Sequence, residues 1–328
     1  MSFGNELLAI NHEKEISSII LSTRKNVREV LHKKGIVVGV SGGIDSSVCA
    51  ALSVRAFGAK NVLAVLMPER DSSEDALFLG RALVEKFEIP TLIEDITLIL
   101  EAAGCYRRQS EAIQSVFPEF LPDWKFKVSM PSLLEKDRLN ITRLTIATPD
   151  GEITKRMSYE SYLKLIAATN FKQRIRKMLE YYHADRLNYA VCGTPNRLEY
   201  DQGFFVKNGD GSADIKPIAH LYKTQVYGLA SALGIPQEIT SRPPTTDTFS
   251  LPQTQEEFYF TLPYQTMDIC LFAYNNNISL NDIVASTGLT TEQIERIFED
   301  FRKKRRATLP LHMPPLLAGE VKEISINM

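Results

Sequence analysis

Between positions 41 and 47 the chain reads Ser41-Gly42-Gly43-Ile44-Asp45-Ser46-Ser47, which brings two glycines, three serines and one carboxylate together. Directly before it, Gly35 to Val40 (GIVVGV) is an apolar, β-branched run of the kind that forms a strand buried on both faces of a parallel sheet. A strand, a glycine-rich turn and then a helix make an anion site. The glycines let backbone N–H groups approach an anion, the helix N-terminus adds unpaired donors and the positive end of its dipole, and the serines add hydroxyls. Asp45 repels phosphate unless a divalent cation lies between them, so a hard, oxygen-liganded ion such as Mg²⁺ is implied. Cys49, one helical turn further on, reads as core.

A second constellation follows another apolar strand, Asn188 to Cys192. It opens with Gly193-Thr194-Pro195-Asn196-Arg197-Leu198-Glu199, at the end of a strand where α/β proteins bind ligands. It continues through Gly203-Phe204-Phe205-Val206-Lys207-Asn208-Gly209-Asp210-Gly211 and Asp214 to Pro217-Ile218, then Leu221-Tyr222-Lys223-Thr224-Gln225-Val226. Glu199 is suited to complete the Mg²⁺ shell that Asp45 begins, Lys223 to offset charge developing on phosphates, and Thr194 to bond a nucleotide. Upstream stands Asn170-Phe171-Lys172-Gln173-Arg174-Ile175-Arg176, with Tyr181 two helical turns beyond Arg174. Arg174 is a candidate for binding the substrate. The competing reading of this stretch, for Lys172, Arg176 and Lys177 above all, is a solvated basic helix face.

These residues need a scaffold. Apolar positions Ile16, Ile19, Ile20, Val27, Val30 and Leu31 predict an amphipathic N-terminal helix within residues 1–34. Val62 to Met67 and Thr91 to Ile96 read as further strands, and Ser73 to Phe87, Asn170 to His183 and Lys223 to Leu233 as helices. That alternation predicts a doubly wound α/β domain, a parallel sheet with flanking helices, occupying 1–328 as one unit. The rhythm breaks between about 104 and 161, where Pro118, Pro122, Pro131 and Pro149 fall, so this stretch reads as an insertion. Within it, Thr148-Pro149-Asp150-Gly151 predicts a hairpin turn between Arg143–Ala147 and Glu152–Arg156. Residues 251–328 read as a helical segment with a coil-like tail.

Composition removes other classes. Lys plus Arg (38) nearly balances Asp plus Glu (40), which argues against a nucleic-acid or anionic-membrane partner. Four scattered cysteines, with no CxxC pair, fit neither a zinc site nor a secreted disulfide framework, and no apolar run reaches membrane-spanning length. A cytoplasmic protein is expected.

The loop has no lysine, and GxxxxGK[ST] is absent, so the γ-phosphate cradle of kinases and GTPases is excluded. Ser41 to Ser47 instead resembles the PP-loop, SGGxDS[ST], of the ATP pyrophosphatases, with their adenine-nucleotide alpha-hydrolase-like fold. In that family the loop holds the pyrophosphate leaving group and ATP is cut between its α and β phosphates. The later segments resemble the GT-x-N-R-x-E, GFF-x-K-x-GDG, P-I-x-x-L-x-K-x-Q-V and N-x-K-x-R-x-R segments of ammonia-dependent NAD synthetases. Arg302-Lys303-Lys304-Arg305-Arg306 resembles that family's H-K-R-R, with Lys303 where histidine is usual, and Pro195 replaces a small or polar residue.

The resemblance covers Gly35 to Asp95 and Asn170 to Pro310. It implies ATP contacts at Gly39, Val40, Ser41, Gly42, Gly43, Ile44, Asp45, Ser46, Thr194, Lys223 and Thr245, with Asp45 and Lys223 catalytic. It implies Mg²⁺ on Asp45 and Glu199, and acid-substrate contacts from Arg174, Tyr181, Lys207, Asp214, Lys303 and Lys304. The implied reaction joins deamido-NAD, ATP and ammonia through an adenylated carboxylate to give NAD, AMP and pyrophosphate, in a pocket that spans a homodimer interface. Only a short helix precedes Gly35, so free ammonia, rather than glutamine, is the expected nitrogen donor. The competing readings are a PP-loop ligase that forms an amide on another carboxylate or acts on a tRNA base, and a nucleotide-binding regulator without catalysis.

Overall fold

The structure, a computed structural model, describes residues 7–134, 142–245, 248–319 and 321, without the side chain of Glu74. The expected N-terminal, inserted and C-terminal segments each extend beyond those residues. In chain order the first half holds α1 (His12–Lys25), β1 (Ile36–Gly39), α2 (Ile44–Phe57), β2 (Val62–Leu66), α3 (Glu74–Lys86), β3 (Thr91–Ile93), α4 (Thr97–Ala102), α5 (Cys105–Gln114), β4 (Lys125–Ser129), β5 (Arg143–Thr148) and β6 (Gly151–Arg156). Then come α6 (Tyr159–Leu187), β7 (Ala190–Cys192), α7 (Arg197–Gln202), α8 (Lys223–Leu233), α9 (Gln237–Thr240), α10 (Tyr264–Asn275), α11 (Leu280–Thr287) and α12 (Thr291–His312).

The parallel sheet has the order β3-β2-β1-β7, with Val37 of β1 in register with Leu63 and Val191. Successive side chains of a strand point to opposite faces. Ile36, Val38, Val62, Ala64 and Leu66 therefore pack with α1, α2, α3 and α8, while Val37, Leu63 and Val65 pack with α4, α5 and α6. Burial on both faces is why β1 reads as one continuous apolar run. From β1 the chain moves outward through β2 and β3, then returns to β7 on the other side of β1. That reversal opens a crevice at the carboxyl ends of β1 and β7, where α/β sheets take their ligands.

The stretch read as an insertion, where the strand and helix rhythm breaks, holds more regular structure than its one expected hairpin. It contains α5 and a three-stranded antiparallel sheet of order β4-β5-β6, whose β5–β6 hairpin forms where the sequence predicts one, with Pro149 and Asp150 in the turn and Thr148 paired with Gly151. Phe117, Phe120, Phe126, Val128, Leu144 and Ile146 form a separate core against Leu165 of α6. The rhythm was hidden because the inward stripe of α5 is polar at Gln109, which is buried and donates to the Thr169 hydroxyl at 3.0 Å. Helix α6 also starts earlier than expected, at Tyr159, capped by the Ser158 side chain. The third strand ends at Ile93. Helices α10 to α12 bury Met267, Leu271, Ile283, Ile294, Ile297 and Phe301 in a further core, as expected for a helical C-terminal segment.

Candidate functional site

A cavity of about 580 Å³ lies in the crevice, lined by residues 39–46, Thr194, Glu199, Lys223, Thr245 and one face of α6. Its floor is the loop between β1 and α2. Gly42 has φ +76°, and a Cβ there would lie 2.4 Å from the Ala76 carbonyl oxygen, so only glycine lets the loop pack against the start of α3. Gly43 caps α2 without a side-chain bond, which leaves the helix N-terminus directed at the cavity. The Ser46 and Ser47 hydroxyls donate to the Gly43 carbonyl at 3.0 and 2.8 Å and hold the turn. Cys49 is fully buried beneath it, and burial, then Cys192, pushes its thiol upward, which makes it core as expected.

One hydrogen-bonded chain joins the two motifs. Lys223, the first residue of α8, pairs with the Asp45 carboxylate, whose other oxygen accepts from the Asn196 amide at 3.0 Å. Asn196 also caps α7 in a capping box with Glu199, whose Oε2 accepts the Asn196 N–H at 3.0 Å. Glu199 Oε1 accepts from the Gln255 amide at 3.0 Å. Burial first, then the neighbouring Asp45, pushes the Glu199 carboxyl up to about 8, although Lys223 and its two donors oppose this. Burial alone would lower the Lys223 ammonium, but Asp45 and Glu199 outweigh it and push it up to about 12. Lys223 is thus bonded to the partly buried Asp45 carboxylate, and its charge also acts on the buried Glu199. Asp268 of α10 holds Lys223 from behind, accepting the N–H groups of Lys223 and Thr224 at 3.2 and 2.7 Å.

Helix α6 lines the cavity with, among others, Ile166, Asn170, Gln173, Arg174, Lys177 and Glu180. Lys177 pairs with Glu180 at 2.6 Å, and a Cβ at Gly39 would lie 2.7 Å from Glu180 Oε1, so glycine at the end of β1 admits that carboxylate. Lys172 is fully buried and bonds Glu69, Asp71 and the Thr248 carbonyl. The solvated reading of this basic stretch is therefore wrong for Lys172 and Lys177, because both ammoniums are enclosed with carboxylate partners.

The structure gathers every expected ATP contact, together with Glu199, Arg174 and Lys207, around the one cavity. Arg174 donates to the Lys207 carbonyl at 3.3 Å, and the Lys207 ammonium donates to that of Pro310 at 2.8 Å. Four expected acid-substrate contacts lie outside the cavity lining. Tyr181, two turns beyond Arg174 on α6, donates its hydroxyl to Asp214 at 3.3 Å. Asp214 also accepts the Val191 N–H at 2.7 Å, pinning the end of the sheet. Lys303 is exposed beside Glu299, and Lys304 is turned to Asp300, Gln202 and the Tyr259 carbonyl. Sequence reasoning missed Asn196 and Gln255. The first carried a signal, since Asn196 and Glu199 have capping-box spacing. Gln255 had none.

Comparison with known proteins bears on this geometry. The NAD synthase family model matches residues 15–117 and 129–308, so the familial part of the chain runs through most of the stretch read as an insertion. The chain is 55% identical to the NH(3)-dependent NAD(+) synthetase of Mesorhizobium japonicum over 97% of its own length and 100% of the relative's. It is 53% identical to that of Rhizobium meliloti, over 98% and 96%. Among solved structures, the NMN synthetase of Francisella tularensis superposes with TM-score 0.65 at 21% identity, covering 95% of this chain and 100% of that one. The NH3-dependent NAD synthetase of Campylobacter jejuni does so with TM-score 0.60 at 22% identity, covering 94% and 100%. These structures share the fold. A family match of that extent, alongside relatives more than half identical over nearly their whole length, means that the chain belongs to the NAD synthase family.

Proposed function

We propose that the chain is a ligase that makes NAD from deamido-NAD, ATP and ammonia, and the observation that carries this is the Asp45–Lys223–Glu199 centre beside a lysine-free phosphate loop. The N-terminus of α2 and the loop amides bind the β and γ phosphates, and Lys223 offsets charge that builds on the leaving group. The nicotinate carboxylate attacks the α phosphorus, pyrophosphate leaves, and ammonia then attacks the acyl carbon and displaces AMP. Most of the rate comes from positioning and from fixed charges, because the adenylate is itself a good leaving group.

Asp45 and Glu199 would hold Mg²⁺, which supplies charge neutralisation at the phosphates. Among the described residues no cluster of three or more His, Cys, Asp or Glu side chains gathers to cage a metal. A two-carboxylate site completed by substrate phosphates is how Mg²⁺ is commonly bound, and the pair is short of positive charge as it stands. The active form is a homodimer, a reading supported by the exposed apolar residues Leu163, Met178 and Tyr182 on α6, the helix whose inner face lines the cavity. A cytoplasmic location suits the four unpaired, buried cysteines. No helix of the described residues is long and apolar enough to cross a membrane.

The test is product analysis with ATP, Mg²⁺, ammonium and a panel of acids. AMP and pyrophosphate should appear in equal amounts with NAD, and deamido-NAD should be preferred over nicotinate mononucleotide. ADP with orthophosphate would sink the assignment. Release with a different acid alone would leave an amide-forming ligase of other specificity. Arg174→Ala and Lys207→Ala should each weaken use of deamido-NAD by about 1–3 kcal/mol in kcat/KM, the cost of a polar contact left unpaired.

A further inference from the structure

The family match skips residues 118–128, and these contain the first four residues of β4. One edge of β4 pairs with β5. The other edge is occupied by the chain segment between Ser250 and Glu257. The Phe126 N–H donates to the Ser250 hydroxyl at 2.9 Å, the Leu251 N–H to the Phe126 carbonyl at 3.0 Å, and the Met130 N–H to the Glu257 carbonyl at 3.1 Å. Between them the buried Gln253 amide donates to the Val128 carbonyl. Residues 126, 128 and 130 alternate along the strand, so these contacts read as an added edge.

Side chains fasten the same seam. Phe249 packs edge-on against Phe126 at 5.7 Å and Phe258 at 5.2 Å, and Phe126 packs against Phe120 at 6.2 Å. The clamped segment belongs to the cavity: Phe249, Gln255 and Phe258 line it, and Gln255 reaches Glu199. The Gln255 N–H donates to the Pro244 carbonyl at 3.0 Å.

We propose that the 118–128 segment is a built-in clamp, which holds residues 249–257 against β4 and so sets Gln255 on Glu199 before ATP arrives. Ser250 and Gln253 are then positioning residues, acting on the site through Gln255. The proposal rests on the ligase reading in that Glu199 serves ATP. Its physical content is preorganisation: a wall ordered in advance spares binding the cost of ordering it.

Hydrogen exchange on the full chain tests it, alongside kinetics. Without ligand, the amides of 249–258 should be protected in the native chain. In the Ser250→Ala/Gln253→Ala variant they should exchange about tenfold faster, the effect of losing two hydrogen bonds that together contribute about 1.4 kcal/mol. Protection of β1 and β2 should be unchanged, which shows the variant folded. The KM for ATP should rise by a similar factor, about tenfold, with kcat changed far less. Gln255→Ala should raise the KM without loosening the segment, and adding Gln255→Ala to the double variant should not add a second penalty. A segment that exchanges equally fast in both chains overturns the clamp, as does a KM that stays put when exchange accelerates. Additive penalties overturn the route through Gln255. If the native chain made no NAD, the ligase reading would fall, while exchange and calorimetric binding of MgATP would still decide the clamp.

Discussion

Asp45→Asn should lower turnover on the order of 10³-fold while the protein stays folded. The substitution keeps the shape of the side chain and one oxygen acceptor, but it removes a full negative charge from a site where that carboxylate faces Lys223 and Asn196. If Asp45 serves a Mg²⁺–phosphate centre, the loss falls on the transition state, where charge must be matched, more than on folding. Glu199→Gln should lose comparable activity. Its cost to folding is larger, because both Glu199 oxygens accept from N–H donors and a glutamine would turn an NH₂ toward one of them. A buried mismatch of that kind costs about 1–3 kcal/mol. Steady-state rates across a Mg²⁺ series, with circular dichroism and melting as folding controls, separate the two effects. A near-native rate at limiting Mg²⁺ for either variant would remove that residue from the centre.

Lys172→Met should cost about 3–5 kcal/mol of stability, the penalty for deleting one partner of a buried ion pair. Lys172 has no solvent exposure, and its three donors are matched to Glu69 at 2.8 Å, Asp71 at 2.8 Å and the Thr248 carbonyl at 3.1 Å. Glu69 is held on its other oxygen by the Tyr106 hydroxyl at 2.8 Å, and Arg70 lies 3.7 Å over the Tyr106 ring. Without the ammonium, Glu69 remains fully enclosed with only the Tyr106 hydroxyl and the Asp71 N–H as donors, while Asp71 keeps Arg70 at 3.3 Å. Urea unfolding followed by intrinsic fluorescence reads the loss as a lower midpoint. A change under about 1 kcal/mol, as for a surface pair, would contradict the enclosure that the structure describes.

Much of the candidate site could be read before any fold was known, because its chemistry sits in contiguous motifs. Ser41 to Ser47 follows a β-branched apolar run, so strand, turn and helix were legible together, and Gly42 and Gly43 had a backbone reason to be glycine. Strand β1, helix α8 and the β5–β6 hairpin were legible for the same cause: period and turn chemistry act over a few residues. The inserted sheet was less so. Its strands are short, α5 hides its stripe behind Gln109, and its core is completed by Phe249, which lies far along the chain.

Only tertiary packing could bring Lys223 to Asp45, 178 positions away, or Asn196 to the same carboxylate, 151 positions away. It also left Tyr181, Asp214, Lys303 and Lys304 off the cavity wall, each tied to a partner elsewhere: Tyr181 to Asp214, Asp214 to the Val191 N–H, Lys303 to Glu299 and Lys304 to Asp300. Lys172 shows the same limit from the other side. Its sequence neighbours are basic and its helix face looked solvated, but the loop carrying Glu69 and Asp71 closes over it. Residue types and local spacing set which chemistry is available, whereas the parallel pairing of β1 with β7 and the packing of α6 on that sheet set which of those groups meet, because burial and distance are properties of packed elements.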